Sequence, residues 1–125
     1  MALITLNDFY LVDNSANDVK VELKIGAIGQ KGLSSLNLGN GKFNKENVKG
    51  DLPQTSIGEN KDLDMKKLTV LTTISDTSKQ TNNTNLEIIL TGGLNKKSYS
   101  LNKTVNSEGD SADYICVIQF IEKNN

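Results

Sequence analysis

The chain has 125 residues, enough for one domain with an ordinary hydrophobic core. It contains 36% hydrophobic residues and a formal net charge of −1, with 14 lysines, no arginine, no histidine and no tryptophan. The lysines alternate with acidic residues instead of forming a basic stripe, and arginine is the residue that base readout uses most. The composition therefore predicts no nucleic-acid partner.

The composition also argues against an enzyme. A serine or cysteine nucleophile normally needs a general base, most often histidine, and only carboxylates or lysines could serve here. The sole cysteine, Cys116, lies in an apolar run and is expected to be a small buried side chain. The glycine pairs do not have the spacing of a phosphate-binding loop. We predict a non-enzymatic protein, with a small carboxylate-dependent enzyme as the less favoured alternative.

No stretch approaches the about 18 consecutive apolar residues of a membrane span. The N-terminus lacks the positive and apolar regions of a signal peptide. We expect a single domain over residues 1–125 with no transmembrane segment, located in the cytoplasm or exported without a cleaved signal.

Apolar and polar residues alternate with a period of two along most of the chain, which is typical of half-buried strands. In chain order, strands are expected at 2–12 with a bend near 7–8, and at 19–25, 33–38, 43–48, 68–74, 86–90, 99–105 and 114–121. The sequence Gly39-Asn40-Gly41 predicts a hairpin between the third and fourth of these. A long crossover loop is expected over 49–60 and one turn of helix near 61–67.

Seven or eight short strands separated by turn-forming residues predict an all-β fold. The long loop at 49–60 suits a chain that passes from one sheet to another. The expected fold is an antiparallel β-sandwich with a Greek-key or jelly-roll-like path, and a partly closed barrel is the alternative.

The last predicted strand is apolar on both faces. A strand of an antiparallel sandwich usually has one apolar face in the core and one polar face in water, so the second apolar face needs an explanation. One face carries Ile115, Val117 and Ile121, and Ile89 and Leu71 also interrupt the polar faces of their own strands. Either the loop at 49–60 covers this face or a protein partner does. Because exposed apolar surface commonly marks an interface, we predict a binding or assembly subunit that forms a homo-oligomer through these five residues.

Two polar loops offer an alternative function. Aspartate and asparagine oxygens suit calcium, and the loops at 76–85 and 106–113 are rich in both. The candidate ligands are Asp76, Asn82, Asp110 and Asp113. They would make the protein a calcium-dependent module that binds membranes or glycans. The competing interpretation is that these residues only form turns.

Overall fold

A computed structural model describes residues 2–26, 29–77 and 82–123. These residues form nine strands and one short helix. These are β1 Ala2–Val12, β2 Asp18–Gly26, β3 Gln30–Gly39, β4 Asn44–Lys49, β5 Leu52–Glu59, α1 Asn60–Leu63, β6 Lys67–Asp76, β7 Asn83–Thr91, β8 Lys97–Thr104 and β9 Ser111–Glu122.

The strands form two packed sheets, as expected for a β-sandwich. The larger sheet has the order β1-β9-β6-β3-β4, and the smaller has the order β5-β2-β7-β8. All neighbouring strands are antiparallel except β1 and β9, which run parallel with Ala2 opposite Ala112 and Val12 opposite Glu122. This pairing joins the first described strand to the last and places β1 at an edge of the larger sheet.

The core lies between the sheets and is built from alternate side chains of both. In β9 the inward side chains are the even-numbered ones, from Ala112 to Phe120, and all are buried. The rings of Tyr10 and Phe120 meet edge to face with centroids 6.0 Å apart. Each fully buried large apolar side chain contributes roughly 1.5–3 kcal/mol, so this layer supplies most of the folding free energy.

The buried hydroxyl side chains of Ser34, Thr72 and Thr84 are paired inside this layer. The hydroxyls of Ser34 and Thr72 lie 2.7 Å apart. The hydroxyl of Thr84 lies 2.6 Å from that of Tyr114 and donates to the carbonyl of Lys103 at 2.7 Å. Such pairing removes most of the cost of burying a hydroxyl.

The prediction of a loop over 49–60 was wrong, and so was the count of seven or eight strands. Residues 52–59 form β5, which pairs with β2 at the edge of the smaller sheet. Its polar composition and Pro53 concealed it, because an edge strand tolerates a residue without an N–H and buries few side chains. Only Leu52 and Ile57 of β5 are buried.

Three other local predictions can be compared with the structure. The expected bend in the first strand is absent, because β1 pairs with β9 without a break from Ala2 to Val12. The helical turn is confirmed but begins at Asn60 and ends at Leu63. The hairpin is confirmed as well, since β3 and β4 are antiparallel neighbours and Asn40 adopts a φ of 63° in the turn.

Candidate functional site

The outward side of the larger sheet is the most unusual surface of the molecule. Because the even-numbered residues of β9 point into the core, its odd-numbered residues point outward. We call seven of the apolar side chains on this side of the sheet the outer patch: Leu3, Phe9, Leu33, Leu71, Ile115, Val117 and Ile121. Leu3 and Phe9 are 58% and 55% exposed, and Leu33 and Leu71 are each 46% exposed. Large apolar side chains are thus in contact with water across four adjacent strands.

The register of the strands brings the centre of the patch together. Ile115 lies directly opposite Leu71 on β6, with Thr5 of β1 on its other side. Val117 lies between Asn7 and Thr69 in the next row. The centre of the patch therefore contains no charged side chain.

On the two central strands of this face, charged side chains lie only at the ends, and Lys31 of β3 and Lys49 of β4 lie near the same end as Asp113. Lys67 begins β6 and is opposite Gln119, while Asp113 lies at the start of β9. Gln119 lies six positions after Asp113 along the strand, a distance of about 20 Å. The centre of the face is therefore uncharged, with Lys67 at one end and with Asp113, Lys31 and Lys49 at the other.

The outward side of the smaller sheet has a different character. It carries the charged side chains Lys20, Glu22 and Lys24 of β2 and Glu87 of β7. The ammonium group of Lys24 lies 3.9 Å from the carboxylate of Glu22, and Ser98 donates to Glu87 at 2.9 Å. This side has the composition of an ordinary solvated sheet, so the apolar outer patch is specific to the larger sheet.

The structure brings together four of the five predicted interface residues. Leu71, Ile115, Val117 and Ile121 share the outer face of β6 and β9. Ile89 lies on β7 in the smaller sheet, between Glu22 and Ser98, and is only 8% exposed. The alternative in which residues 49–60 cover this face was wrong, because those residues contribute β5 to the opposite sheet. Sequence analysis missed Leu3, Phe9 and Leu33, whose membership of the same face depends on strand order.

The two polar loops considered for calcium lie at one end of the sandwich. The amide of Asp76 donates to the carbonyl of Asp110 at 2.8 Å, and the amide of Val105 donates to the carbonyl of Asn82 at 2.8 Å. Residues 78–81 of the first loop lie outside the described residues. Among the described residues, no three acidic, cysteine or histidine side chains are grouped closely enough to hold a metal ion.

The four candidate ligands have separate local roles. Asp76 is buried and accepts a hydrogen bond from the Gln30 amide at 3.1 Å. Asp110 accepts from the amide of Ser107 at 3.2 Å, which is a turn-forming contact. Asp113 points to the outer face and accepts from the Thr73 hydroxyl at 2.6 Å. The side-chain amide of Asn82 donates to the carbonyl of Asn106 at 3.4 Å. The geometry gives the calcium hypothesis no added support, and it remains a prediction.

Cys116 lies in the core between the sheets. Burial raises the pKa of its thiol to about 11, because a low-dielectric surrounding disfavours the thiolate. A thiol that stays protonated at neutral pH is a poor nucleophile. The side chain acts as a core hydrophobe.

A polar cluster joins the edges of the two sheets. The Tyr99 hydroxyl of β8 donates to the carboxylate of Asp8 on β1 at 2.5 Å, and the Lys97 ammonium lies 3.2 Å from the same oxygen. Lys97 also donates to the carbonyl of Phe9 at 2.9 Å. The hydrogen bond from Tyr99 is the main cause of a lowered pKa at Asp8. This cluster closes one side of the sandwich, and no local sequence pattern could have revealed it.

Replacing Tyr99 with phenylalanine is expected to reduce stability by about 1 kcal/mol at pH 7, because a partly exposed charge-assisted hydrogen bond is lost. A lowered pKa at Asp8 stabilises the fold above the ordinary carboxyl pKa of about 3.9, and that contribution is lost as pH falls through the folded-state pKa. The difference between the two proteins should therefore shrink below about pH 4. Urea unfolding at pH 7 and pH 3 measures the difference in unfolding free energy between the two proteins. A difference that does not change with pH would contradict a stabilising hydrogen bond from Tyr99 to the ionised Asp8 carboxylate.

Comparison with protein-family models, with curated proteins and with solved structures finds no match to this chain. No helix among the described residues has the length and apolarity needed to cross a membrane.

Proposed function

We propose that this protein is a non-enzymatic assembly subunit that associates with a second copy of itself through the outer patch. The observation that carries the proposal is the contrast between the two sheets. The outward side of the larger sheet is apolar and uncharged at its centre, while that of the smaller sheet carries Lys20, Glu22, Lys24 and Glu87. Contiguous exposed apolar surface of this kind commonly marks a protein interface.

A second copy fits this face because two uncharged centres can meet without burying an unpaired charge. A two-fold axis lying in the plane of the interface and across the strands reverses the strand direction of the second copy. Lys67 of one copy then lies toward Asp113 of the other, at the end that also carries Lys31 and Lys49. Ile115, Leu71 and Val117 of the two copies meet at the centre, where no charge is buried.

The size of the face also suits a dimer. Four strands spaced about 4.8 Å apart, with outward rows from Asp113 to Ile121, cover about 20 by 26 Å. Side chains roughen this surface, so its accessible area exceeds the flat area and approaches the about 800 Å² per partner of a standard interface. Face-to-face packing of two sheets is a common arrangement at a separation of about 10 Å.

Replacing Val117 with lysine is expected to halve the mass of the assembly while leaving the fold intact, because it places a charge at the centre of an apolar contact. Size-exclusion chromatography with light scattering measures the mass, and circular dichroism reports the fold. The matched control is Ser100→Lys, which adds the same charge to an exposed position of β8 in the other sheet and should leave the mass unchanged.

Two results would contradict the proposal. One is a wild-type protein that is strictly monomeric at 13.6 kDa. The other is a folded Val117→Lys variant with the full wild-type mass. If Val117→Lys unfolds, Leu71→Lys replaces it, since Leu71 is 46% exposed and contributes less to the fold. A folded Leu71→Lys protein of unchanged mass would also exclude this interface.

A further inference from the structure

The free edge of β1 is a second surface with unsatisfied hydrogen-bonding groups. In a strand, the N–H and C=O of successive residues point alternately to the two neighbours. The carbonyl of Val12 accepts from Lys123, which follows β9, whereas the carbonyls of Phe9 and Leu11 accept from Lys97 and Leu94 on the opposite side. The backbone groups of the odd-numbered residues of β1 therefore point away from β9.

This edge is closed at one half and open at the other. The carbonyls of Phe9 and Leu11 are taken up by Lys97 and Leu94. The outward N–H and C=O groups of Leu3, Thr5 and Asn7 have no neighbouring strand within the described part of the chain, because β1 pairs with β9 alone. Six backbone groups in a row are thus free to pair with another strand.

The other edge strands carry features that oppose pairing. β4 presents Lys45, Glu46 and Lys49, and β8 contains Lys97 and Lys103. β5 contains Pro53, which lacks an N–H. Charged residues and proline at an edge prevent association with other strands. Between Leu3 and Asn7, β1 contains neither.

The inward side chains beside this open edge are incompletely covered. Ile4 and Leu6 pack against the core but remain partly exposed, as does Leu101 of β8. The contacts from Leu94 to Leu11 and from Tyr99 to Asp8 show that β8 runs antiparallel to β1 across this side, so Leu101 lies toward Leu6. A strand added to β1 would place its own inward side chains over this gap and extend the core.

We propose that the open half of β1 pairs with the same segment of a second copy, antiparallel about a two-fold axis at Thr5. Thr5 of one copy then lies opposite Thr5 of the other, and Leu3 lies opposite Asn7, so that all six outward backbone groups form hydrogen bonds. Ile4 lies opposite Leu6 on the inward side. Apolar and Thr–Thr cross-strand pairs are favourable, and the segment contains no like charges to repel each other.

The segment is self-complementary, and this favours a second copy over an unrelated strand. Any register shifted toward Phe9 would compete with the hydrogen bond from Lys97 to its carbonyl. The axis at Thr5 uses the whole open half and none of the closed half. The edge interface does not depend on the outer patch, and it places the outer patches of both copies on the same side of one ten-stranded sheet.

Together the edge and face contacts give an assembly of four copies, which permits a test that separates them. The Thr5→Pro substitution removes an outward N–H that no described strand uses, so the monomer fold should tolerate it. Thr5→Val keeps the N–H and the branched side chain and serves as the matched control. Light scattering should give four copies for wild type and for Thr5→Val, two for Thr5→Pro, two for Val117→Lys, and one for the double variant Thr5→Pro/Val117→Lys.

The outcomes distinguish the two interfaces. A wild type of two copies with a monomeric Val117→Lys variant would overturn the edge pairing and leave the proposed function standing. A wild type of two copies that only Thr5→Pro dissociates would support the edge and refute the face. If Thr5→Pro does not fold, amide hydrogen exchange in the Val117→Lys protein tests the edge pairing instead. The amides of Leu3, Thr5 and Asn7 should exchange slowly, and fast exchange at all three would overturn the edge pairing.

Discussion

Replacing Gly92 with alanine is expected to lower the free energy of unfolding by about 3 kcal/mol or more. Gly92 adopts a φ of 94°, which side-chain-bearing residues rarely adopt. A Cβ at this position would overlap the carbonyl oxygen of Asp18 and lie 3.1 Å from the Cα of Val19. These atoms belong to β2, so neither can move without disturbing the pairing of Asp18 and Val19 with β5. Equilibrium urea unfolding followed by circular dichroism measures the loss.

Gly50 provides the matched control for this prediction. It also has a positive φ, of 73°, but a Cβ there would have nothing within 4 Å. Gly50→Ala should therefore cost only the backbone term, about 1 kcal/mol. Equal losses at Gly92 and Gly50 would show that backbone conformation alone is responsible and that the close approach to Asp18 is unimportant.

Local alternation was enough to predict most of the strands. The pattern at 19–25 became β2, and the pattern at 68–74 became β6. Each of these strands has one buried and one solvated face, so apolar and polar residues alternate along its sequence with a period of two. The apolar outward side chains of β9 were also evident, since Ile115 and Val117 stand out in a run with little polar interruption. One-dimensional patterns therefore located both the core layer and part of the candidate interface.

Features that depend on strand order could not be predicted. The parallel pairing of β1 with β9 joins residues about a hundred positions apart, and no local signal specifies it. The contribution of Leu3 and Phe9 to the outer patch follows only from that pairing. The hydrogen bond from Tyr99 to Asp8 joins residues 91 positions apart, and it too depends on how the strands are arranged in space. β5 was missed because an edge strand with few buried side chains lacks the alternation on which prediction depends.

The two proposed surfaces have a common structural cause. β1 is an edge strand, so its backbone is free on one side, and its odd-numbered side chains point to the uncovered outer face. Leu3 and Phe9 would be costly to leave in water, and the open backbone groups would invite irregular association. In the proposed assembly, pairing about Thr5 would satisfy these backbone groups, and association through the outer patch would bury these side chains. β1 would therefore form the proposed edge contact and contribute Leu3 and Phe9 to the proposed face contact.

Replacing Asn60 with alanine is expected to destabilise the fold by about 3 kcal/mol. Asn60 is fully buried at the first residue of α1. Its side-chain amide donates to the carbonyls of Asn17 and Gly92, both at 2.8 Å, and its side-chain oxygen accepts from the amide of Asp13 at 3.2 Å. Truncation leaves the Asp13 amide and the Gly92 carbonyl without this partner, and each unsatisfied buried group costs about 1–3 kcal/mol. Asn102→Ala, at an exposed position of β8, is the control and should change stability by less than about 0.5 kcal/mol.

Asn60→Asp separates the loss of hydrogen bonds from the loss of volume. Aspartate has nearly the same shape but presents a carboxylate oxygen where the side-chain amide now donates to Asn17 and Gly92. An ionised carboxylate facing two carbonyl oxygens is repelled, so this variant should be at least as unstable as Asn60→Ala at pH 7. Thermal unfolding of both variants beside wild type decides between the two causes. If Asn60→Asp retains wild-type stability, Asn60 stabilises the fold through its volume. Its hydrogen bonds to Asp13, Asn17 and Gly92 would then not be what holds these segments together.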